Sequence, residues 1–158
     1  MEITYLQYLR DNPVKQGLTK DFSIESISLQ EIEQLEVMYN NGNPFPKALK
    51  ELLFLAGNFC YVLDYGIWDT QQELQDAVRE KMADENRIIS RPFYVIDTYN
   101  SGDHFIFIYL DEGDNPPTFV GHYRDRDDRP NWITPITPTL SKLINDGIDR
   151  VKQGRNPF

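Results

Sequence analysis

Apolar residues recur at helical spacing in four stretches of this chain, and aromatic and β-branched residues gather in short runs between turn formers, a pattern that predicts helices around a small sheet. Ser28 and Glu31 form a capping box, in which each residue satisfies an orphan backbone donor of the other. Leu29, Ile32, Leu35 and Tyr39 then make one apolar stripe that ends at Asn41-Gly42. Pro44-Phe45-Pro46 interrupts the chain, and Pro46 suits a first helical position because its missing N–H needs no partner there. Leu49, Leu52, Leu53 and Ala56 supply the buried face of that second helix before Gly57. Thr70 and Glu73 make a second capping box ahead of Leu74, Ala77, Val78 and Met82. Pro138 is expected just inside a closing helix that buries Leu140, Leu143, Ile144, Ile148 and Val151, with Gly147 weakening it modestly.

Residues 60–63 form a short β-prone run, and beyond Pro92 residues 93–98, 105–110 and 118–123 read as strands. Turn formers, Asn100-Ser101-Gly102-Asp103 and residues 112–117, join them, so an antiparallel meander of three to four strands is expected. Helices, then strands, then a helix, without βαβ alternation, predict an α+β fold with helices packed mainly on one side of a small sheet. Pro135 and Pro138 are expected to set the entry of the last helix. No repeat or linker divides the chain, so residues 1–158 read as a single domain with its core at 25–151.

A chain of 158 residues can bury enough apolar surface to fold without a disulfide or metal staple. Cys60 is the only cysteine, so no internal disulfide can form. The first residues lack the basic start and apolar run of a secretion signal, and no stretch approaches a membrane span. A soluble, cytoplasmic protein is expected.

The formal net charge is −9, and much of it is local. Asp111, Glu112 and Asp114, then Asp125, Asp127 and Asp128, form two acidic clusters around a β-prone segment. Such a field repels nucleic acid and anionic membrane, and attracts basic proteins or cations. The ordinary meaning of a charge run is a solvated loop that keeps a domain soluble.

Catalytic chemistry has little support. His104 and His122 fall on neighbouring strands and, with Asp103 or Asp125, make at most a weak metal site, because zinc wants three or four ligands at spacings that are absent here. Pro130 stands where a calcium loop needs glycine. Cys60, between Phe59 and Tyr61, reads as a buried, inert thiol. No phosphate loop, nucleophile elbow or dinucleotide fingerprint occurs, so neither a catalytic residue nor a cofactor is expected. More informative is Tyr65-Gly66-Ile67-Trp68 between Asp64 and Asp69: aromatic rings beside carboxylates have the composition of an interface anchor. The alternative is that Trp68 packs onto the sheet as part of the core.

A Glu-rich amphipathic helix (Ile32-Glu33-Gln34-Leu35-Glu36), a Pro-initiated helix (residues 45–53), a Gly/Asn stop and a short strand resemble the SUKH superfamily. The resemblance spans residues 25–151; Phe45-Pro46 and Ala56-Gly57-Asn58 stand where members carry Leu-Pro and Asn-Gly-Gly. It implies an α+β domain without enzymatic activity, used in bacteria mostly as an immunity protein that neutralises a cognate toxin, often a nuclease. It transfers no site residue by motif. The expectation is therefore an immunity protein whose acidic surface, Asp64, Tyr65, Trp68, Asp69, Asp111, Glu112, Asp114, Asp125, Asp127 and Asp128, meets a basic toxin. A regulatory module with an endogenous partner, and a small metal-assisted hydrolase built on His104 and His122, are the alternatives. The oligomeric state is left open.

Overall fold

The capping residues fix where the helices begin. The computed structural model describes residues 1–158 apart from 18, 65–66, 100–101, 125–130 and 158. A short helix α1 (Gln7–Asp11) and a hairpin of β1 (Val14–Lys15) and β2 (Phe22–Ser23) precede α2 (Leu29–Asn40), α3 (Lys47–Ala56) and α4 (Gln71–Asp84). Four strands follow, β3 (Phe93–Tyr99), β4 (His104–Tyr109), β5 (Thr118–His122) and β6 (Ile133–Thr137), and α5 (Leu140–Lys152) closes the chain. The architecture is α+β, as expected.

The box at Ser28 and Glu31 is fully reciprocal, and α2 ends where Asn41 and Gly42 take positive φ. Leu29, expected in the core, is half-exposed at the first helical position, while Ile32 and Leu35 are buried. Pro46 stands just outside α3 as its cap and offers no side-chain acceptor, so the Ala48 N–H donates instead to the Asp114 carbonyl (2.8 Å). At α4 the box is only half made. Thr70 Oγ1 accepts from the Glu73 N–H, but the Glu73 carboxylate accepts from Asp69 N. Pro138, expected just inside α5, lies outside it, because Thr139 is the cap, its side chain accepting from the Lys142 N–H.

Residues 60–63 are not a strand. All four side chains are buried, which alternation across a strand cannot provide when only one side faces the core, and the segment turns on a Leu63 N–H to Cys60 carbonyl bond. The β-pairing falls one residue earlier, as an isolated bridge between Phe59 and Glu25.

The main sheet has the order β3-β4-β5-β6, antiparallel throughout. Strand β6 lies beyond the three read from the sequence and contains Pro135, paired with Phe119 beside a register shift. A proline is tolerated there because β6 is an edge with no further neighbour to receive its N–H. One face carries Phe93, Phe105, Phe107, Tyr109 and Phe119 in ring contact. Phe105 lies over its cross-strand partner Gly121, where a Cβ would come within 2.5 Å of the ring. The opposite face carries Tyr94, Ile106 and Ile108; Phe45 and Tyr39 meet Tyr94 edge to face, and α5 packs beside β6.

Helix α4 covers the β3 edge. The buried Gln75 amide accepts from Val95 N (2.9 Å) and donates to Val95 O (2.8 Å), as a neighbouring strand would, and Arg79 donates to Phe93 O. A fully buried Glu51 fixes the N-terminus, accepting from the backbone of Thr4, Tyr5 and Leu6. One buried apolar cluster runs from Ile3 to Ile148.

A candidate partner-binding groove

The connection from α3 to α4 is anchored before it reaches the surface. Its first residues pack against α5 at Gly147, where a Cβ would meet Val62 at 3.0 Å, so the glycine that weakens the helix also permits this approach. The Asp64 N–H then donates to Asp97 Oδ1 (2.8 Å), which also accepts from Thr98 N (2.8 Å). Asp97 is fully buried beside the β3 bulge, and its Oδ2 has no hydrogen-bond partner. Burial pushes its carboxyl up to about 8, against the opposing effect of the two backbone donors. The acid is therefore mostly protonated at neutral pH.

Past this anchor the chain exposes Ile67 and half-buries Trp68. The indole packs against the apolar core, and its Nε1 is buried with no acceptor among the described residues. An unmet buried donor of this kind costs roughly 1–3 kcal/mol, so packing, not hydrogen bonding, holds the ring. One flank of Trp68 lines a groove of about 210 Å³ between α2 and the start of α4, together with Ile27, Leu35, Met38 and Leu74. The charged residues lining it, Glu31 and Asp69, are both acidic. Met38 is 47% exposed and Val37 67%, so α2 carries apolar side chains beside its buried stripe. Those two were not singled out from the sequence; apolar residues off the core stripe of an amphipathic helix were the available signal.

Among the described residues, the expected site residues fall in two groups, one beyond each end of α3. Asp64, Trp68 and Asp69 belong to the segment after the C-terminal end of α3. Asp111, Glu112 and Asp114 lie on the loop whose Asp114 carbonyl caps the opposite end of that helix, about 15 Å away along its axis. Arg91 also answers two of these charges, donating to Asp111 (2.5 Å) and Glu112 (2.8 Å) while stacking over Tyr109. That hydrogen bonding holds the Asp111 carboxyl below its usual range. Tyr65, Asp125, Asp127 and Asp128 lie outside the described residues.

Cys60 is buried, and burial pushes its thiol up to about 12, which keeps it protonated and a poor nucleophile at neutral pH. His104 and His122 are directly paired across β4 and β5 with ring centroids 5.1 Å apart. Among the described residues no group of three or more His, Cys, Asp or Glu could hold a metal ion. Nor is any helix there long and apolar enough to cross a membrane. No family model, curated protein or solved structure matches the chain.

Proposed function

We propose that this chain is a non-catalytic, cytoplasmic binding protein of SUKH type that neutralises a cognate bacterial toxin, a nuclease with a basic substrate surface. The observation that carries the reading is the groove at Trp68, where the exposed Met38 and the half-buried Trp68 meet charged lining residues that are both acidic. Aromatic and methionine side chains in a concavity are the usual anchors of a protein interface, and acidic residues around them speed and orient the approach of a basic partner. The α+β architecture agrees with the resemblance over residues 25–151. The net charge of −9 supplies the long-range part of the attraction.

The test uses the product of the gene directly upstream, where a toxin paired with an immunity protein is encoded. Its nuclease activity is measured with and without equimolar purified chain. Stoichiometric loss of activity, weakened at least tenfold by Met38→Lys, is the expected result. Full nuclease activity in the presence of the chain would remove the toxin reading, and stable binding to a non-toxin product would favour the regulatory module.

A further inference from the structure

A second cleft, remote from the Trp68 groove, opens between α5 and the face of the sheet it packs against. Tyr99, His104 and His122 stand in register on β3, β4 and β5, so three planar polar side chains form one row across the sheet. Their ring centroids are 5.5 and 5.1 Å apart. Facing them from α5 are Leu143, Asp146 and Arg150, whose spacing puts them on one side of the helix. The cleft between has a volume of about 300 Å³ and a floor of Ile106 and Val120.

We propose that this cleft binds a small organic carboxylate, with the anionic group between Arg150 and the imidazole row and a compact apolar body over Ile106, Val120 and Leu143. Three features favour that chemistry. Arg150 is held in place by donating to the Pro157 carbonyl (3.0 Å), and a guanidinium keeps further N–H donors in a fork suited to carboxylates. An imidazole carries at least one N–H donor in every protonation state. Among the described residues Asp146 is the one carboxylate in the lining, and it pairs with Lys142 at 2.9 Å, which leaves the Arg150 guanidinium to meet an anion. The volume is at the small end for ligand sites and suits a molecule of roughly ten non-hydrogen atoms.

Benzoate, benzyl alcohol and benzylamine share one body and differ in charge, and inorganic phosphate carries charge without the body. Each is titrated into the isotopically labelled full chain, followed by amide NMR. Saturable shifts at Ile106, Val120 and Leu143 are expected with benzoate, with Kd of roughly 1 mM or tighter. Benzyl alcohol, benzylamine and phosphate should each bind at least tenfold more weakly. Arg150→Gln should lose the preference for benzoate, and Arg150→Lys, which keeps the charge, should retain it. Equal binding of benzyl alcohol or phosphate, shifts confined to residues outside the cleft, no saturation, or equal loss in both Arg150 variants would each overturn the proposal.

Discussion

Asp97 shows how one side chain can tie the segment leading to Trp68 to a strand at an energetic cost. In an unfolded chain an aspartate ionises near 3.9, whereas burial here pushes the carboxyl up to about 8. Between those values the folded state holds more protons than the unfolded one. Stability is therefore fully present below about pH 4 and declines as pH rises toward 8. Asp97→Asn keeps an oxygen for the Asp64 and Thr98 N–H groups and cannot ionise. Urea unfolding at pH 5 and pH 8 should show the parent losing on the order of 3 kcal/mol that the Asn chain keeps; equal losses in the two would contradict this assignment. Nothing in the sequence marks Asp97, because an acidic residue in a β-prone run reads as solvent-facing. Glu51 is hidden in the same way, within a Lys-Glu pair on α3 whose carboxylate in fact gathers three backbone donors. Buried polar residues of this kind are set by partners 33 to 47 positions away, which local pattern does not report.

At the scale of elements, the sheet's exposed edges are closed by different means. On β6 the device is Pro135, and on β3 it is the amide of Gln75 with the guanidinium of Arg79. Gln75→Met keeps the volume but leaves Val95 N–H and C=O unmet, a loss of roughly 2–4 kcal/mol in chemical or thermal unfolding. It also uncovers a strand edge, so increased self-association by light scattering is expected; unchanged stability would mean that α4 covers the edge by packing alone. Four of the five helices were legible from caps and apolar stripes, and three of the four meander strands from β-prone runs between turns. The misses have local causes. Pro135 makes β6 read as the entry to the last helix, two-residue strands such as β1 and β2 carry no period, and residues 60–63 have β-prone side chains that tertiary packing places in a turn. Trp68 and Asp69 were singled out in the sequence as a candidate anchor, but the α2 wall of the groove they line was not.

For the whole molecule, the fold redistributes a charge pattern that looks like one patch along the chain. Helix α3 separates the Asp111–Asp114 loop from the Trp68 segment, and Arg91 ties down the former. Charge and apolar surface coincide at the groove, so affinity should be concentrated there, with the remaining acids acting mainly on association rate. Calorimetric titration of the proposed nuclease partner against three chains tests this most directly: the parent, one carrying Met38→Lys with Asp69→Lys, and one carrying Asp111→Asn, Glu112→Gln and Asp114→Asn. The account predicts at least a hundredfold loss of affinity for the groove variant and less than tenfold for the loop variant, with the parent weakening as salt rises. A loop variant that loses more than the groove variant, or a groove variant that binds like the parent, would contradict it.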